Sequence, residues 1–81
     1  MKTINIEEAN YISDYKIHFR FNDGKENTVD FKSFILSSSH SDIQKYQNKR
    51  LFENFSLEYG EIEWNNYEFV FPIFDLYQGH I

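Results

Sequence analysis

The chain has 81 residues, no cysteine, 20% aromatic residues and a formal net charge of −5. That length allows one small domain over residues 1–81, and it hides only about 60% of its unfolded surface, so its core must be built from large apolar groups. The missing thiols exclude disulfides, thiolate metal sites and a cysteine nucleophile, which fits a reducing cytoplasm; the single alanine, Ala9, argues against a helical bundle.

The opening "MKTINIEEAN" meets two glutamates before the apolar centre of a secretory signal can form. No apolar run approaches the roughly 20 residues that a bilayer crossing needs. Within "TINIEEANYI", Ile4 and Ile6 alternate with polar neighbours and predict a first strand. The next signal is "DYKIHFRFNDGKENTVDF", where Ile17, Phe19 and Phe21 alternate with Lys16, His18 and Arg20. That period of two predicts a half-buried strand. Asp23-Gly24 supplies a hairpin turn, because both residues tolerate positive φ. A return strand is expected over residues 25–31, with Thr28 and Val29 as its β-branched members.

The middle reads as helical. Asp30 can cap a short helix over residues 31–36, which the run Ser37-Ser38-Ser39 ends. Ser41-Asp42-Ile43-Gln44 fits a capping box with Ser41 as N-cap. Ile43 with Tyr46 or Gln47 forms a narrow apolar stripe, and Leu51, Phe52 and Phe55 anchor another short helix beginning near Asn48. Pieces this short hold their shape only through tertiary packing.

The C-terminal part centres on "EYGEIEWNNYEFVFP". Phe55, Leu57 and Tyr59 alternate, Gly60 turns, Ile62 and Trp64 alternate, Asn65-Asn66 turns, and Tyr67, Phe69 and Phe71 alternate before Pro72 ends the ladder. In this reading Tyr59, Ile62 or Trp64, and Phe69 face inward, and Glu58, Glu61, Glu63 and Glu68 lie on the wet face. The tail "IFDLYQGHI" is expected to make a helical turn, with Phe74 and Tyr77 packing back and Gly79 closing it. The whole predicts an α+β domain: antiparallel β-meanders of five or six short strands, with one or two short helices between them.

Chemistry is sparse along this chain. Glu61 and Glu63 share a strand face at a spacing compatible with a carboxylate dyad. A catalytic acid needs burial to raise its pKa, however, and both glutamates read as solvated. His18, His40 and His80 are scattered over strand, loop and tail, without metal-ligand spacing, and Asp75 with His80 is the nearest pairing. The serine run before His40 lacks a nucleophile elbow, and the three glycines are too isolated for a phosphate loop. We therefore expect no enzyme activity, no metal and no cofactor.

Charge is the more informative feature. Residues 1–50 hold all eight Lys and Arg against seven acids, whereas residues 51–81 hold six acids and no Lys or Arg. Such a C-terminal third repels phosphate backbones and suits a basic protein partner. The candidate contact residues are Glu58, Glu61, Glu63 and Glu68, with Trp64 or Tyr67 as an aromatic anchor. The alternative readings are a nucleic-acid-associated regulator and a structural homodimer. The regulator would use Lys45, Lys49 and Arg50, with Lys16, His18, Arg20 and Lys25 as a second basic cluster; the homodimer would pair through an edge strand.

Two segments, "YISDYKIHFRFNDGKENTVDF" and "LFENFSLEYGEIEWNNYEFVFPIFDLY", carry a resemblance. In order and spacing they resemble the bacterial domain-of-unknown-function family 2442, with its strand, F-x-D-G turn, V-D return, later Trp and closing acid-Leu-Tyr. Asn65-Asn66-Tyr67-Glu68 stands where members of that family often carry Pro, Gly and an Asp. Some relatives add a helix-turn-helix segment, which does not occur within these residues. Genes of the family often lie beside small toxin-like proteins (domain-of-unknown-function family 4160). The resemblance therefore implies an antitoxin or regulatory partner of a small basic protein, and it implies no catalytic residues.

Overall fold

The computed structural model describes residues 3–79 and 81. The alternation at residues 16–21 becomes strand β2 (Lys16–Phe21), with Ile17, Phe19 and Phe21 buried and Lys16 and Arg20 in water. It is the central strand of an antiparallel meander with β1 (Ile6–Ser13) and β3 (Glu26–Asp30). Asp23-Gly24 makes the β2–β3 turn, with Gly24 at φ +92. The β1–β2 connection is Asp14-Tyr15, both left-handed, with Ser13 paired to Lys16. Tyr15 adopts that disfavoured conformation because its ring is buried against Phe52 and its hydroxyl donates to the Gln47 carbonyl.

Short helices follow: α1 (Lys32–Ser37), α2 (Ser41–Gln44), which runs into a 3₁₀ turn at Lys45–Gln47, and α3 (Lys49–Glu53). Asn48 Oδ1 accepts the Arg50 N–H and caps α3. Asp30 Oδ1 accepts the Lys32 N–H, but Phe31, whose carbonyl accepts the Ile35 N–H, occupies the N-cap of α1, so the expected Asp30 cap is not formed. The expected Ser41 cap is not formed. His40 occupies that position, its carbonyl accepts from Ile43 and Gln44, and the Gln44 side chain donates instead to Ser38 O. Tyr46, not Gln47, completes the stripe with Ile43.

The second meander consists of β4 (Phe55–Glu58), β5 (Glu61–Trp64) and β6 (Phe69–Val70), and helix α4 (Ile73–Gln78) follows Pro72. Gly79 at φ +80 closes α4, and Asn27 Nδ2 donates to the helix's final carbonyls, Leu76 and Tyr77. The two sheets touch at one corner, where the Ile6 N–H reaches Gly60 O at 2.8 Å. Three inward expectations fail, the first being Leu51 of the expected α3 anchor, which is exposed. Tyr59 is 93% exposed because it is the first residue of a left-handed two-residue turn and so leaves the strand alternation. Phe74 is 66% exposed because Ile73, Leu76 and Tyr77 take the core-facing side of α4.

One aromatic core joins both sheets to the helices. Phe31, just after β3, packs near Phe19 of the first sheet, Trp64 of the second, Phe71 just after β6, and Phe52 of α3. Trp64 is its hub, with Phe69, Phe52, Phe55, Phe31 and Tyr46 centred 4.8–6.2 Å away. Burying each such ring is worth about 1.5–3 kcal/mol. The indole Nε1–H donates at 2.6 Å to the Phe52 carbonyl, in the last turn of α3, where no intrahelical donor is available. We expect Trp64→Phe to keep the fold but lose about 2–3 kcal/mol, since it removes volume and orphans that carbonyl. The check is a lower urea midpoint at an unchanged slope.

Candidate functional site

The acidic residues sort by the geometry of the β4–β5 hairpin. Tyr59 (φ 53) and Gly60 (φ 79) form its tip, and Glu58 pairs directly with Glu61. Ser56 pairs with Glu63 on the same face. Like charges placed directly opposite each other destabilise a strand pair. Neither Glu58 nor Glu61 has a basic partner within 4.0 Å among the described residues. The tip is also anchored: a Cβ on Gly60 would lie 2.7 Å from the Asn5 Cβ, so this close approach of two segments requires glycine.

Alternation predicts Glu63 in water, and the structure corrects this, since the residue is only 6% exposed. Asn65, Asn66 and Tyr67 are all left-handed (φ 51, 58 and 67) and fold the chain back toward the outer face of the sheet. The Tyr67 N–H then meets Glu63 Oε2 at 2.7 Å. The buried carboxylate is thereby satisfied, and it fixes the loop. Tyr67, 50% exposed, belongs to this loop and not to a strand. Its phenol is held above the ordinary value of 10.0, first by partial burial and then by the charges of Glu58 and Glu63. Glu58, Glu61, Glu63 and Tyr67 thus come together on one face, beside the exposed Tyr59.

Two expected members lie elsewhere. Trp64 points into the core and has no exposed surface, so it cannot anchor a partner. Glu68 turns toward the helices, where it pairs with Lys45 and accepts the Tyr46 hydroxyl at 2.9 Å. Those hydrogen bonds, Lys45 first and then Tyr46, hold its carboxyl below the ordinary 4.5. Burial, followed by the Glu68 hydrogen bond, holds the Tyr46 phenol well above 10.0. The exposed Tyr59 is a surface residue that alternation hides, and its sequence signal is the two-residue Tyr-Gly spacing between two alternating runs.

The basic positions are largely engaged within the chain. Lys49 lies 3.7 Å from Asp14, Arg20 lies 2.9 Å from Glu8, and His18 bonds both Thr28 and Glu26. Arg50 borders a shallow groove with Tyr11, Leu51, Glu53 and Asn54. Among the described residues no group of three or more His, Cys, Asp or Glu could hold a metal, and no helix is long and apolar enough to cross a membrane. Asp75 lies on α4, while His80 is outside the described residues.

The model of the family described as "Protein of unknown function (DUF2442)" matches residues 6–81. No curated protein and no solved structure matches.

Two outcomes follow from this geometry. Glu63→Ala orphans the Tyr67 N–H and releases a left-handed loop, so we expect a loss of about 1–3 kcal/mol in urea unfolding, with faster exchange of the Tyr67 amide proton. The Lys45–Glu68–Tyr46 cluster also sets a pH window. The folded-state pKa of Glu68 is depressed, so its contribution is complete above 4.5 and is lost as pH falls through the folded value. That of Tyr46 is raised, so its contribution is complete below 10.0 and is lost as pH climbs above it. Unfolding midpoints measured against pH are expected to show Glu68→Gln flattening the acid limb and Tyr46→Phe flattening the alkaline limb.

Proposed function

The chain belongs to the DUF2442 family, and within it we propose a small, non-catalytic, cytoplasmic binding domain that covers a basic surface on a partner protein, in the manner of an antitoxin. The observation that carries this reading is the β4–β5 hairpin, which holds Glu58 and Glu61 opposite each other without a counter-charge among the described residues and presents the exposed Tyr59 and Tyr67 beside them. A lysine or arginine arriving there relieves an existing repulsion. The partner is drawn in by long-range attraction that salt screens, and the tyrosines add rigid contact area. Engagement of Lys45 by Glu68 and of Lys49 by Asp14 favours a protein partner over a phosphate backbone. The antitoxin role itself rests on the family resemblance.

The test is affinity capture from cells of the native host on the immobilised domain, with mass spectrometry of what is retained. We expect a small basic protein to bind at low salt and elute at roughly 0.5 M salt, and the double variant Glu58→Lys, Glu61→Lys to capture none. If no basic protein is retained above a blank support, or if the double variant captures it equally well, the reading fails.

A further inference from the structure

At the end of the molecule beside the acidic hairpin, Ile4, Ile73, Phe74 and Tyr77 line an apolar groove of about 300 Å³. Its walls are held in place. Asn22 grips the strand segment before β1 through the Asn5 N–H, Asn5 O and Thr3 O. On the opposite wall, the Tyr77 hydroxyl donates to Asp23, its ring packs edge-on against Phe21, and Asn27 holds the carbonyl end of α4. The groove therefore exists before any ligand arrives, which lowers the ordering cost of filling it. Phe74 stands at its rim at 66% exposure, although the core has no place for it.

The surrounding charge indicates what fits there. Asp75 follows Phe74 on α4. On the other wall, Ile4 adjoins Asn5, against which the Glu58–Glu61 turn is seated through Gly60. Lys25 is already placed over the Tyr77 ring, 4.2 Å from its centre. A second copy of this chain, at −5, would set these acids against one another. We propose that the groove receives a large aliphatic or aromatic side chain from a basic amphipathic segment of the partner, whose flanking lysines or arginines reach Asp75, Glu58 and Glu61. This rests on the basic-partner reading and adds to it an apolar anchor, placed in a pocket as interface anchors commonly are.

The experiment uses fluorescence anisotropy with two short labelled peptides of equal lysine content, one carrying leucine and the other serine at the remaining positions. We expect the leucine peptide to bind about tenfold more tightly. Phe74→Asp should remove that advantage, and Phe74→Ala should reduce it, with unchanged circular dichroism because the residue is exposed. The groove proposal is overturned if the leucine peptide has no advantage or if Phe74→Asp leaves it intact, whereas binding of the serine peptide would still support the acidic face. If neither peptide binds, the basic-partner reading itself falls. If light scattering shows a wild-type dimer that Phe74→Asp converts to monomer, the groove is a self-association seat and the proposal is overturned.

Discussion

The burial of the Trp64 ring, with its indole N–H donating to the Phe52 carbonyl, is the constraint around which the rest is arranged. It ties the middle strand of the C-terminal sheet to a helix too short to stand alone, and it satisfies a carbonyl that the helix leaves unpaired. Because the ring is fully buried among Phe31, Tyr46, Phe52, Phe55 and Phe69, it also sets the facing of β5. Once Trp64 points inward, Ile62 must follow, and Glu61 and Glu63 must occupy the other face.

That facing explains the charge distribution. A hairpin with glutamates directly opposed is not the arrangement that stability alone would select. It is tolerated because the aromatic core supplies the stability and because both charges at the tip stay in water. Glu63, closer to the core end of the strand, takes a different role. Its carboxylate accepts a backbone N–H and holds three consecutive left-handed residues in place. One strand therefore carries, within a few residues, a core hub, a structural carboxylate and half of a solvent-facing acidic pair. At the other end of the same hairpin, Gly60 brings the acids beside a groove whose floor is apolar. Charge and hydrophobic surface, which are distant in sequence, become neighbours there.

The strands and most helix starts were legible from local chemistry. Alternation located β2 and the three C-terminal strands, Asp-Gly located the first hairpin turn, and Asn48 marked the start of α3. The departures around the β4–β6 turns share one cause. At Tyr59, Tyr67 and Glu63 strand periodicity gives the wrong face, because the structure places these residues in left-handed turns or folds a turn onto them. A two-residue tip removes Tyr59 from the alternation, and a left-handed loop carries the Tyr67 amide back to Glu63. Phe74 departs for the related reason that a short helix offers several apolar residues and only packing selects which of them are buried.

By itself, then, the sequence determined the α+β class, the two meanders, the family and the acidic bias of the C-terminal third. These follow from periodicity, turn residues and composition, all of which act over a few residues at a time. Tertiary structure alone decided that Trp64 is a hub and not a contact residue, that Glu68 is spent on Lys45 and Tyr46, and that Glu63 is buried. It alone also brought Ile4 against α4. Each of these depends on which distant segment fills the space next to a side chain, and no local pattern encodes that, because a glutamate in water and a glutamate under a folded-back loop have the same neighbours in sequence.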